Sequence, residues 1–345
     1  MIQNPPSARK STYYHNMDIV RYLLALAVIV AHTNAMSGFH IPFPITSFEA
    51  VGGFFALSGF LMYPNYVRHN NCFAYLRQRA RRILPPYIFI VVAASIFLAA
   101  VSSLSPIHYF CSSGFWSYLG ANLSFLNWLH PGLPGVFEGK PYSTSAVNAS
   151  LWTMKIEWCL YFSVPLFIFL LTRIKRLSKV ILALIVIALS IGYRIMFMKL
   201  YQESGREIFY ILSRQVFGQL SYFYCGMLVY FIKDFFTRHL TWMVVAGIAL
   251  VWISRTLIIG NIILNPLGIT LAVLGISLLP YDIPFLHHRN NVSYEMYLFH
   301  FPIIQLSIFF GISQHSAWLE YLYVLTATIL LSVIVHIGIE RMKRS

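Results

Sequence analysis

The chain is 345 residues long, 58% apolar and only 10% charged, with a mean hydropathy of +0.67. Soluble domains carry about 25% charged residues, so the composition excludes an ordinary soluble domain and points to the membrane. The net charge of +14 does not point to nucleic acid. Its basic residues fall in short clusters between apolar runs (RQRARR at 77–82, RIKR at 173–176, RMKR at 341–344), with no aromatic-basic module beside them.

A bilayer crossing needs about 20 apolar residues. Such runs lie near 18–38, 47–65, 83–102, 151–172, 179–198, 209–232, 240–259, 261–280, 292–312 and 318–339. The predicted fold is therefore an all-α polytopic membrane protein with about ten transmembrane helices, read as one domain over 1–345. The first run follows a polar tail, 1–17, and lacks a small-residue cleavage pattern, so it reads as a retained helix and not a signal peptide. The second run is interrupted by Gly52, Gly53 and Gly59, and the sixth by Arg214, Gln215 and Gln219. The long segment 103–150 holds an aromatic stretch, 116–129, that reads as a re-entrant or interfacial helix.

Lys and Arg set the orientation. With the N-terminus in the cytoplasm, seventeen fall in inner segments and three (Lys140, Lys199, Arg206) in outer ones. Arg21, Lys155, Arg194, Arg214 and Arg255 lie within spans. That asymmetry predicts both termini cytoplasmic and 103–150 as a long outer loop. Cys72, Cys111, Cys159 and Cys225 are scattered without a CxxC pair, and only Cys111 falls on the outer side. Single thiols are expected, not a disulfide framework.

Ionisable groups inside spans are functional candidates. Arg21 and His32 are eleven residues apart in the first span. At about 100° and 1.5 Å per residue they share one helix face about 16 Å apart, and Asp18 joins that stripe one turn before Arg21. The spacers Ala25 and Val28 are small. Arg21 is expected near the inner boundary, with Arg79 and Arg82 at the inner end of the third span. His32, Glu157 and Arg214 are expected together in an outer layer, with His300 near the midplane. A basic inner mouth and a deeper polar layer suit a long anionic donor such as acyl-coenzyme A. Arginine binds phosphate through paired, charge-assisted hydrogen bonds. Histidine accepts a proton from an attacking hydroxyl near neutral pH.

Five motifs carry a resemblance: RYLLALAVIVAH (21–32), FFALSGFLM (54–62), RARRILPPY (79–87), SLWTMKIEWCLYFSVPL (150–166) and SYEMYLFHFP (293–302). Together and in this order they resemble the integral-membrane acyltransferase-3 family, whose members O-acylate bacterial surface carbohydrates. The resemblance covers nearly the whole chain. It implies a multipass plasma-membrane enzyme that moves an acyl group, acetyl by preference, from cytoplasmic acyl-CoA to a hydroxyl of a surface polysaccharide or lipid-linked glycan. It implies His32 as the catalytic residue and Arg21, Arg79 and Arg82 as donor-binding residues; His32 either deprotonates the acceptor directly or first carries the acyl group covalently. Acyl-CoA is a co-substrate, and no permanently bound cofactor is expected.

Each assignment has a plainer alternative. Arg21 could be a snorkelling boundary residue, His32 an inter-helix hydrogen bonder, and Arg79 with Arg82 topogenic charge. Glu157 is a candidate catalytic residue beside His32, which it would orient, or it is a structural partner neutralising Arg214 or another cation. Ser58 and Gly59 read as close-packing residues. Trp152, Tyr294 and His300 are candidate channel-lining residues, with His300 also read as a packed polar group. His287 and His288 fall in a short inner loop, and no metal-ligand spacing occurs. A transporter or permease with a buried polar site is the alternative function, although no inverted repeat is visible. A glycosyltransferase would want an acidic pair in the outer loops, which is absent.

Overall fold

A computed structural model describes residues 16–139, 144–174, 178–280 and 291–344. The N-terminal tail, Lys140, His287, His288 and Arg289 lie outside the described residues. Among the described residues the secondary structure is helical, with no strand.

The chain opens with α1 (Asn16–Ser37), α2 (Ser47–His69) and α3 (Cys72–Phe97). Thr46 and Glu49 form a reciprocal capping box at the start of α2, and Asn71 caps α3. Within 103–150 the chain forms α4 (Pro106–Cys111) and α5 (Ser113–Leu123). At 11 residues α5 is about 16 Å long, too short to cross a bilayer. It is the helix anticipated within 116–129, and Trp116 on it is exposed.

Then follow α6 (Trp152–Arg173), α7 (Lys179–Ser204), α8 (Glu207–Ser213), α9 (Val216–Phe231), α10 (Lys233–Arg238), α11 (Leu240–Thr256), α12 (Ile258–Ser277), α13 (Ser293–Phe309) and α14 (Ala317–Arg344). Helices thus occupy all ten expected positions. Among the described residues, six of them (α1, α3, α6, α7, α12 and α14) are long and apolar enough to cross a membrane. The expected sixth span is not continuous. It breaks at Arg214–Gln215, leaving α9 with 16 residues, about 24 Å. The expected inner loop at 77–82 is helical instead. α3 begins at Cys72 and carries the arginine cluster within an extension of the apolar run of about three turns.

The bundle core forms around α2 and α9. Their backbones touch: a Cβ at Gly59 would lie 1.8 Å from the Phe223 carbonyl oxygen, and one at Gly226 would lie 1.9 Å from that of Ala56. Only glycine permits this approach, so Gly59 has the close-packing role anticipated for it. α1 runs against α2 with Leu24 level with Gly53, where a Cβ would come within 2.9 Å of Leu24 Cδ2. α13 is buried almost throughout and packs between α1 and α14. The outward faces of α7, α11 and α14 expose Leu189, Trp252 and Ile334, each more than three-fifths accessible. Apolar surface on that scale is costly in water and suited to lipid.

Candidate active site

Helices α1, α2, α3, α6 and α13 enclose a cleft of about 840 Å³. Arg21, Ser58, Arg79, Arg82, Glu157 and Tyr294 all line it. Six residues singled out in sequence, from five helices, therefore converge. Arg21 Nη1 donates to Asp18 Oδ1 at 3.1 Å, so the carboxylate one turn earlier holds the guanidinium. Arg79 is buried; its Nη2 donates to Gln78 Oε1 at 2.9 Å, and its Nε has no partner. Three cations share the cleft with one carboxylate. Glu157 accepts from the Tyr161 hydroxyl and interacts electrostatically with Arg82, Arg79 and Arg21. Tyr294 donates to the Ile83 carbonyl at 3.2 Å, tying α13 to the arginine-bearing turn of α3.

The far end of the cleft is formed by Thr153 and Tyr297, whose hydroxyls are 2.9 Å apart. One turn beyond Tyr297 is His300, fully buried. His300 Nδ1 is 2.8 Å from the Tyr297 carbonyl oxygen, which can only accept. His300 Nδ1 therefore carries the proton, and its Nε2 is an acceptor. His32 Nδ1 lies 2.8 Å from that Nε2 and donates to it. The chain of bonds leaves His32 Nε2 as a free lone pair. The two rings lie edge to edge and nearly coplanar, with centroids 5.1 Å apart and planes 9° from parallel, and Phe301 meets His32 edge-on at 5.6 Å.

The backbone around His300 is held from outside α13. Pro302 has no N–H to give the Leu298 carbonyl four residues earlier. Asn148 Nδ2 donates there instead, at 2.7 Å. Asn148 Oδ1 accepts from the Ser150 amide, and Ser150 Oγ sits 3.3 Å from His300 Nε2. The end of the segment 103–150 thus clamps the dyad.

Two expectations are corrected. Glu157 is not in the His32 layer and does not orient His32; it lies among the cleft arginines, and His300 occupies His32 Nδ1. Arg214 is not Glu157's partner either. It stands over the rings of Phe48, Tyr210 and Trp152, at 4.6, 5.3 and 5.5 Å from their centroids, beside a different cavity. Trp152 faces that arginine and is not part of the cleft lining. Sequence reasoning passed over Tyr297, Ser150 and Asn148. The motifs SYEMYLFHFP and SLW contained the first two, and Pro302 signalled the unpaired carbonyl that Asn148 fills. Among the described residues no group of three or more His, Cys, Asp or Glu could hold a metal ion.

A helical membrane protein with an arginine-lined cleft that ends beside an oriented histidine has the parts of a group-transfer enzyme acting on an anionic donor. The comparisons give the class a family. Residues 14–337 match the family model described as "Acyltransferase domain", and the chain belongs to this acyltransferase-3 family and is an acyltransferase. It is similar to Nodulation protein 10 of Rhizobium leguminosarum bv. viciae, 23% identical over 90% of this chain and 88% of that protein. It is also similar to the O-acetyl transferase of Shigella phage Sf6, 25% identical over 42% of this chain and 43% of that one. No solved structure matches it.

Proposed function

We propose that this membrane acyltransferase transfers an acyl group, acetyl by preference, from cytoplasmic acyl-CoA to a hydroxyl of a surface polysaccharide or lipid-linked glycan. The observation that carries the reading is an arginine-lined cleft whose lining reaches Tyr297, one helical turn from the His300–His32 pair. In this reading the arginines hold the donor phosphates by charge-assisted bonds. The pantetheine arm lies along the cleft and presents the thioester beyond Tyr297. His32 Nε2 removes the acceptor hydroxyl proton as that oxygen attacks the thioester carbonyl. The C–S bond then breaks, coenzyme A leaves as thiolate, and the proton passes from His32 to the sulfur. His300 positions His32 and stabilises its imidazolium; Glu157 balances the cleft arginines. The seventeen-to-three distribution of Lys and Arg supports ten spans in the plasma membrane with both termini cytoplasmic.

The test uses purified protein in nanodiscs, labelled acetyl-CoA and candidate glycans. His32→Ala should lower transfer by about 10²-fold or more while the protein remains folded. Full transfer by that variant overturns the active site. Solute flux without any thioester hydrolysis or transfer replaces the enzyme with the permease reading.

A further inference from the structure

Of the five basic residues placed within spans, Arg194, Arg214 and Arg255 come together at a second cavity, of about 1290 Å³. It is lined by the start of α2, the second half of α7, α8, and the junction of α11 with α12. Three guanidiniums inside a membrane domain are costly unless something offsets them. Only Arg255 is offset by a carboxylate. Its Nη2 and Nε reach the two oxygens of Glu49 at 2.6 and 3.1 Å, and Asn265 and the Thr46 amide complete that carboxylate's shell.

Arg194 and Arg214 form no salt bridge among the described residues. Arg194 is 6% exposed, lies near the rings of Phe48 and Tyr222 at 5.4 and 5.8 Å, interacts with the Tyr222 hydroxyl, and among the described residues leaves its buried Nη1 with no hydrogen-bond partner. A buried, unpaired guanidinium N–H is a donor awaiting an acceptor. Arg214 uses its flat face on three rings and spends Nη1 on the Tyr210 hydroxyl at 3.0 Å. Stacking occupies the face of a guanidinium and leaves its in-plane N–H edge available for an oxyanion. The sequence builds the site with care: a Cβ at Gly218 would lie 1.9 Å from the Ser213 carbonyl oxygen and 3.1 Å from Arg194 Cγ. Glycine there lets the α8–α9 break fold over the arginine.

The cavity also adjoins the chemistry. Trp152, under Arg214, is two residues from Ser150, which touches His300. Along α2 the cavity lining reaches Glu49 and the cleft lining begins at Val51, two residues or about 3 Å further on. The first cavity is taken by the donor in the proposed reaction.

We propose that the second cavity is the acceptor subsite, and that Arg194 and Arg214 bind an oxyanion substituent, carboxylate or phosphate, of the acceptor saccharide. The aromatic rings beside them suit the apolar face of a sugar. This assignment rests on the acyltransferase reading with a glycan acceptor. Its binding test is independent of turnover. Saturation-transfer NMR is recorded on the full-length protein in phosphatidylcholine nanodiscs, with empty discs subtracted, using glucuronate, glucose 6-phosphate and glucose as probes. At least one anionic sugar should give fivefold or more of the glucose signal, and Arg214→Gln or Arg194→Gln should lower it at least fivefold. Arg214 is half-buried, so its variant keeps the test decisive where Arg194→Gln fails to fold. Equal signals from all three sugars, no signal from either anionic sugar, or an unchanged signal in Arg214→Gln overturns the proposal. Loss of the anionic-sugar signal when phosphatidylglycerol replaces the neutral lipid also overturns it, because the cavity then takes a lipid headgroup. Acetyl-CoA hydrolysis in the same preparations is read separately. Its absence from the unmodified protein would end the acyltransferase mechanism while leaving the binding result standing.

Discussion

Replacing His300 tests whether the histidine pair works as a unit. In the resting state the His32–His300 bond, 2.8 Å long, joins two neutral rings. Such a bond is worth about 0.5–1.5 kcal/mol net. When His32 takes the acceptor proton it becomes an imidazolium, and the same bond acquires a charged donor worth about 1.5–3 kcal/mol. The strengthened part is realised only as charge develops, so its loss falls on kcat and spares the donor KM. The differential is about 1–1.5 kcal/mol, so His300→Leu, which has no acceptor, should cut kcat by about 5- to 13-fold. His300→Gln keeps an acceptor atom and should recover part of that loss.

The double variant gives the sharper result. Once His32 is alanine, His300 has nothing to orient, so adding His300→Leu should cost no further activity. The assay is initial-rate acetyl transfer across a donor series, with thermal melting as the control for folding. If His300→Leu multiplies the defect of His32→Ala, or raises the donor KM with kcat intact, His300 acts independently and the bond-by-bond orientation is wrong.

Arg82→Ala should raise the acyl-CoA KM about tenfold or more with little change in kcat, since a charge-assisted phosphate bond contributes about 1.5–3 kcal/mol; donor-series kinetics check it. Gly59→Ala should separate α2 from α9, because the new methyl would sit 1.8 Å from the Phe223 oxygen; a fall in melting temperature or loss of folded protein is expected. Asn148→Ala strands the Leu298 carbonyl, at a cost of about 1–3 kcal/mol, and should lower melting temperature and kcat together. A fully active, equally stable Asn148→Ala protein would show that the clamp does not hold the dyad.

Helical periodicity made α1 legible: Asp18 pairs with Arg21 as their spacing requires. The grouping of Arg79 and Arg82 with Arg21 was expected from the family motifs, since periodicity within each helix says nothing about its neighbours. The His32–His300 contact joins residues 268 apart in sequence, and no local pattern encodes such a contact. Glu157 was misplaced in depth for a definable reason. Hydropathy fixes where a span begins only to within a turn or two, and α6 starts after a 3₁₀ turn at Ala149–Leu151 that already sits at the dyad. Glu157, five residues past Trp152, is about 7.5 Å further along. The break before α9 was visible as Arg214–Gln215, but its meaning was not, because the stacked rings come from α2, α6 and α8.

The register of α1 against α2 explains how one histidine could serve substrates at opposite ends of the bundle. Leu24 is level with Gly53, so Arg21 falls near Ser58 in the cleft, and His32 lies about 12 Å the other way, near the start of α2 where Phe48 and Glu49 line the second cavity. A donor held at Arg21 need send only its narrow arm past Ala25 and Val28. The acceptor hydroxyl need come no deeper than Trp152. Neither substrate crosses the helical core, and the tight α2–α9 contact at Gly59 and Gly226 keeps that core closed. A permease must open such a contact to pass its solute. An enzyme that hands a small group from one side to the other is better served by rigidity, and the clamp of Asn148 on the carbonyl freed by Pro302 supplies it at the residue that aims the base.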